Sequence, residues 1–118
     1  MNIEQVRDYA LSLDGVTEDM PYGPGCLAFR IEGKIFMHIG LDSPEPVCSV
    51  KLLPEYGQEL RETRDGVRPA YHLNKKHWND IYLDKVNDSD VRRWIVMSYS
   101  LVLSKLPRKL REKYSKQL

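Results

Sequence analysis

Polar and apolar residues alternate along this chain with two different periods, and the changes of period mark its elements. Ile3, Val6, Ala10 and Leu13 recur at spacings of three and four, so one apolar stripe predicts a first helix. Asn2 supplies an N-cap oxygen and Gly15 a stop. Thr17 to Gly25 holds two prolines and two glycines near its end and reads as a loop. From residue 26 the period drops to two. Cys26–Ile31, Lys34–Leu41 and Val47–Leu52 read as three strands joined by Glu32-Gly33 and by a turn at 42–46, which implies an antiparallel meander. In the second of them Ile35, Met37, Ile39 and Leu41 fall on one face, Phe36 and His38 on the other.

Pro54 opens a short helix ending near Thr63, before Asp65-Gly66. Residues 67–84 are irregular but strand-like, in two pieces around 67–73 and 78–83. Asn87, Asp88 and Ser89 offer caps for the longest helix, whose stripe is Val91, Trp94, Ile95, Ser98, Leu101, Val102 and Leu106. Pro107 interrupts it, and 108–116 reads as a basic helical tail. Helix, three strands, helix, one or two strands, helix is not the alternation of a parallel sheet. The pattern predicts an α+β two-layer sandwich, with helices on one face of an antiparallel sheet.

The 118 residues, 42% of them hydrophobic and 30% charged, make a single domain over 1–118 that can bury a core without staples. No apolar run reaches the roughly 20 residues that cross a bilayer, and the opening Met1-Asn2-Ile3-Glu4 has no secretory pattern. A cytoplasmic protein with no membrane partner is expected, with Cys26 and Cys48 as reduced thiols. Charge changes the picture further. Residues 1–59 hold four basic and ten acidic side chains, a net of −6, and residues 60–118 hold fourteen and seven, a net of +7. Such asymmetry points to a face for a polyanion, although the total of +1 gives little long-range attraction.

The stretch Arg68-Pro69-Ala70-Tyr71-His72-Leu73-Asn74-Lys75-Lys76-His77-Trp78-Asn79-Asp80-Ile81-Tyr82-Leu83-Asp84 resembles the signature of the MmcQ/YjbR family of small bacterial proteins. Residues 13–23, Leu-Asp-Gly-Val-Thr-Glu-Asp-Met-Pro-Tyr-Gly, are similar to the family's segment after its first helix, and 104–111 to its C-terminal end. Asp14 stands where the family often has proline, and Ala70 where it often has glycine. The resemblance covers nearly the whole chain. It implies a frataxin-like (CyaY-like) sandwich and a proposed DNA-binding role through wing-like hairpins beside the sheet.

The segment 72–78 is the richest in chemistry. For DNA, Lys75 and Lys76 would take phosphates, Asn74 a phosphate or base edge, and His77 would be a further donor. Arg68 lies beside them, and Lys51 and Arg30 are supporting candidates on strands. Trp78 is expected in the core, as tryptophan is highly buried on average. His72 and His77 are spaced wrongly for a helical metal pair, and His38 reads as an ordinary packed or surface histidine. No GxSxG, glycine-rich phosphate loop or nucleophile pair appears. The expectation is therefore a non-enzymatic DNA-binding protein of low to modest sequence specificity, monomeric, without cofactor or metal. Two alternatives accompany it. One is a small-molecule or protein-interaction module using loops 20–25 and 68–78. The other is a frataxin-type acidic metal surface on Glu4, Asp8, Asp14, Glu18 and Asp19.

Overall fold

In the computed structural model, which describes residues 1–71 and 73–114, the chain forms α1 (Ile3–Ser12), β1 (Val16–Asp19), β2 (Cys26–Ile31), β3 (Lys34–Gly40), β4 (Val47–Lys51), α2 (Pro54–Thr63), β5 (Val67–Pro69), β6 (Trp78–Tyr82), α3 (Asp88–Ser104) and α4 (Arg108–Arg111). All six strands join one antiparallel sheet, in the order β1-β2-β3-β4-β6-β5. The α+β class with an antiparallel sheet is as the alternation requires.

Local chemistry accounts for the element ends. Asn2 and Gln5 close a reciprocal capping box on α1: the Asn2 side chain accepts from the Gln5 N–H at 2.8 Å, and the Gln5 side chain from the Asn2 N–H at 2.9 Å. Asn87 accepts from the Asp90 N–H at 2.9 Å and starts α3. Pro54 opens α2 where its missing N–H costs nothing. The hairpin between β2 and β3 turns on Glu32 and Gly33, both at positive φ (49° and 79°), the geometry of a two-residue turn that matches strand twist.

Two readings need correction. Thr17–Asp19 is not loop but part of β1, an edge strand paired from Val16↔Ile31 to Asp19↔Ala28. Its polar composition hid it, since its charges are spent on ion pairs: Glu18 with Arg7, and Asp19 with Arg30 at 3.0 Å. Phe36 does not share a face with His38. The register shifts between Phe29 and Arg30, so Met37 pairs with Phe29 and Ile35 with Arg30. Phe36 is left between them and turns its ring edge-on to Tyr99 of α3, with centroids 5.5 Å apart.

The core lies between the helices and one face of the sheet. Phe29, Ile31, Met37, Ile39, Cys48, Val50 and Ile81 meet Val6 and Ala10 of α1, Leu60 of α2, and Trp94, Ile95, Tyr99 and Leu103 of α3. Four polar residues are also buried: Asn79, Asp90 and Ser98 on the core side, and His38 on the opposite face of the sheet. Asn79 is held by Arg61, and its amide donates to the His77 carbonyl at 3.2 Å. Asp90 accepts from Arg64 at 2.7 Å and from Asn87 at 3.0 Å. The Ser98 hydroxyl donates to the Phe36 carbonyl at 2.5 Å and accepts from the Lys51 N–H at 2.8 Å, so one side chain of α3 fastens both β3 and β4. His38 differs from the other three, because neither of its ring nitrogens has a hydrogen-bond partner among the described residues.

Two expectations follow. Ser98→Ala strands a part-buried N–H and a buried carbonyl together, so it should cost about 2 kcal/mol. Urea denaturation should show this as a lower midpoint at unchanged slope. For His38, burial and then Arg30 push the imidazole pKa below its ordinary value. The unfolded chain therefore takes up the proton first, and stability falls as pH drops through the unfolded value of about 6.5. His38→Phe should flatten the fall in stability between about pH 7 and 5 relative to wild type, measured by the same denaturation.

Candidate functional site

Strand alternation places a second set of side chains on the face that carries no helix. Register aligns them into a row across the sheet: Ala28 beside His38, His38 beside Ser49, Ser49 beside Asp80, Asp80 beside Arg68. Their strand neighbours Phe29, Ile39, Cys48, Ile81 and Val67 point the other way, into the core. The Ser49 hydroxyl donates to Asp80 Oδ1 at 2.6 Å. Over this row rise the loop 20–25 and the segment after β5, and between them lies a groove of about 760 Å³. Its floor is His38, Ser49, Asp80 and Val47, and Tyr22, Tyr71 and Tyr82 stand around it. Tyr22 and Tyr71 are the most open, at 64% and 68% exposed.

His38 sits at the bottom, 5% exposed, with the Tyr22 ring 5.8 Å and the Trp78 ring 4.9 Å from its own. Its depressed pKa keeps it neutral near pH 7. Cys26 also lines the groove, but burial raises its pKa, and its thiol donates to the adjacent Leu27 carbonyl at 3.7 Å. Cys48 is buried, and its pKa is pushed up to about 12 by that burial and then by Asp80. Both cysteines are free thiols.

The residues proposed for DNA do not form one surface. Lys75 lies over the Tyr71 ring, its Nζ 4.8 Å from the centroid. Asn74 stays exposed and accepts from the Lys76 N–H at 3.0 Å, closing the tip of the loop. Arg68 stacks on Tyr82 at 4.8 Å and reaches Asp65 at 3.8 Å. Arg30 donates to Asp19 and to the Gly33 carbonyl, each at 3.0 Å. The other three converge. His77, Lys76 and Lys51 come together at the end of the sheet with Lys105 from the C-cap of α3. There the His77 pKa is lowered by desolvation and then by Lys51, Lys105 and Lys76, and that of Lys51 by desolvation and then by Lys105.

Trp78 is the clearest correction: it is half-buried on the helix-free face against His38, not in the core, because its position in β6 has the parity of Asp80. His72 and Lys116 lie outside the described residues. Of the basic tail, Arg108 pairs with Glu112 at 3.3 Å and Lys113 with Glu32 at 3.8 Å. On the acidic side, Glu18 and Asp19 are engaged by arginines, and among the described residues no three His, Cys, Asp or Glu side chains cluster as metal ligands.

Sequence reasoning passed over His38, Ser49 and Asp80. The signal was present in part: each is a polar residue between two residues of the buried face, at 37 and 39, 48 and 50, and 79 and 81. What the alternation does not carry is that β3, β4 and β6 are neighbours.

Known proteins agree with this architecture. A Deinococcus radiodurans protein with a DUF419 domain superimposes with a TM-score of 0.88 at 27% identity, over 95% of this chain and 86% of that one. A Pseudomonas syringae crystal structure matches with a TM-score of 0.74 at 28% identity, over 86% of this chain and 98% of that one. Among sequences, the uncharacterized protein YjbR of Escherichia coli K12 is 28% identical across 95% of this chain and 96% of its own length. YbdF of Escherichia coli O157:H7 is 31% identical across 90% and 88%. The YjbR family profile matches residues 11–101, and the chain belongs to the YjbR family.

Proposed function

We propose that this chain works by binding and not by catalysis, and that its ligand lies in the groove on the helix-free face of the sheet. The observation that carries this reading is a cavity of about 760 Å³ lying over a row of polar side chains on an otherwise apolar scaffold. That volume falls within the range of small-molecule sites. The two loops singled out from the sequence as an alternative binding region, 20–25 and 68–78, are the ones that wall it.

The chemistry of the groove supports binding over turnover. The Ser49 hydroxyl donates its hydrogen bond to Asp80, while His38, beside it in register, makes no hydrogen bond among the described residues, so no serine–imidazole pair is set up. The Cys26 thiol is held above its ordinary pKa and is a poor nucleophile.

A second reading, DNA held through phosphate contacts, is favoured by one observation: Lys51, Lys105 and Lys76 lie close enough to His77 to lower its pKa, and Lys105 close enough to Lys51 to lower that of Lys51. Such a knot of cations gains from a polyanion. It is compact, so it suits a few phosphates and little base readout.

Each reading has its own measurement. Phenol and isopropanol, titrated against the 15N-labelled chain, should shift the amides of Tyr22, His38, Ser49 and Tyr82 before others. Val47→Trp, which fills the floor, should remove those shifts and leave the fold intact. Shifts elsewhere only would end the groove reading. For DNA, fluorescence anisotropy with a random duplex at about 50 and 200 mM salt should show steep weakening. Lys51→Glu with Lys76→Glu should abolish binding, and Lys75→Glu should reduce it far less. Absence of binding at low salt would end that reading.

A further inference from the structure

The geometry points to a phosphate monoester, the terminal phosphate of a small molecule or of a nucleic-acid end, as the ligand of the cationic knot at the end of the sheet. This inference rests on the phosphate-contact reading above and names the kind of phosphate.

Three observations carry it. First, the backbone holds the four residues together. Lys51 pairs in register with Trp78, and the Leu52 N–H donates to the His77 carbonyl at 2.8 Å, so the end of β4 lies against 77–78. The turn that carries Lys76 and His77 is closed on Asn74. The Asn74 carbonyl accepts from the His77 N–H at 3.1 Å and the Trp78 N–H at 2.9 Å, and its side chain accepts from the Lys76 N–H at 3.0 Å. The Lys51 N–H donates to Ser98 Oγ at 2.8 Å, and Lys105 at the C-cap follows Ser98 by about two turns, on the same side of α3. Three ammonium groups and an imidazole thus converge from a strand, a turn and a helix end.

Second, the charge there is unanswered. Among the described residues Lys51, Lys76 and Lys105 pair with no carboxylate, whereas Arg7, Arg30, Arg64 and Arg68 are each tied to one. The charged groups that act on His77 and Lys51 are cations, with no acid among them. The C-terminal carbonyls of α3 carry about half a negative charge, so the three cations leave an excess of about two and a half. A phosphate monoester, at about −1.5 to −2 near pH 7, comes close to cancelling it. A diester carries about one charge, and a duplex spreads its charges along an axis, which suits cations in a track and not in a knot.

Third, His77 is a donor held in reserve. Its Nδ1 is buried and has no hydrogen-bond partner among the described residues. Desolvation, then Lys51 from β4, Lys105 from the end of α3 and Lys76 from its own turn, hold the imidazole pKa below its ordinary value. An anion placed among these cations reverses their effect, so the ring takes up a proton and both nitrogens become donors. Affinity for an anion of fixed charge therefore rises as pH falls through the His77 range.

The test titrates the 15N-labelled full chain at low salt with phenyl phosphate, with dimethyl phosphate as the diester, and with sulfate as a dianion whose charge does not change with pH. Phenyl phosphate should saturate shifts at Lys51, Lys76, His77 and Lys105 and bind at least about tenfold more tightly than dimethyl phosphate. Lys51→Gln and Lys105→Gln should each weaken it severalfold. Lys85→Gln, which removes a cation paired with Asp65 at 3.5 Å, should not. Sulfate should bind more tightly at about pH 6 than at about pH 8, and His77→Gln should remove that difference. A short single strand with a 5′-phosphate, set against the same strand with a 5′-hydroxyl, separates the two sources. A phosphorylated strand that binds more tightly than phenyl phosphate makes the nucleic-acid end the ligand, and equal affinity makes it a small phosphate. If dimethyl phosphate matches phenyl phosphate, or if duplex DNA binds through Lys51 and Lys76 while phenyl phosphate does not, the monoester inference is overturned and the phosphate-contact reading stands. If neither phenyl phosphate nor duplex DNA reaches the knot, both fall.

Discussion

One hydroxyl holds the two layers together. Where β3 and β4 diverge beyond the pair Met37↔Val50, the Phe36 carbonyl and the Lys51 N–H have lost each other as partners. Ser98 of α3 reaches between them and satisfies both. Buried backbone groups must be paired, so α3 can neither slide nor rotate without stranding a donor and an acceptor. The same contact sets Tyr99 against Phe36, and the Tyr99 hydroxyl then donates to the Asp14 carbonyl at 2.7 Å, fixing the chain after α1. With helix and sheet pinned at this point, the apolar stripes close one face completely.

The bare face follows from that closure. Helices cover one side of the sheet, and the polar parity of β3, β4 and β6 is left for loops to wall. Sheet interiors position side chains rigidly, and loops vary cheaply, so a row such as His38, Ser49 and Asp80 beneath two loops is the usual construction of a binding site. Among the described residues His38 has no hydrogen-bond partner, while Asn79, Asp90 and Ser98 on the core side each have partners.

Charge is sorted by the fold more finely than by the chain. Most of the ion pairs form within each half: Arg7 with Glu18 and Arg30 with Asp19 neutralise the β1 edge, and Arg64 pairs with Asp90, while Lys113 reaches across the halves to Glu32. Apart from these, Lys51, Lys76, His77 and Lys105 make a cationic knot at the sheet end, separate from the groove.

The sequence by itself determined the elements, since their causes are local. A 3.6-residue stripe, a capping asparagine, a proline at a helix start and a two-residue alternation act within a few residues, so α1, α2, α3 and the β2–β3–β4 meander were legible, as was the family resemblance. Only the tertiary structure decided the rest. The polar edge strand β1 acquires its partners from β2 and α1. The order β4-β6-β5 brings Asp80 beside Ser49 from 31 residues away. The register shift at Phe29 sends Phe36 to the core, and the parity of β6 sends Trp78 out of it. Lys75, Arg68 and Arg30 looked free as letters, but aromatic faces and carboxylates claim them in space. Alternation states which residues share a face of one strand. Which strands lie side by side depends on long-range pairing, whose energy no short window of sequence contains.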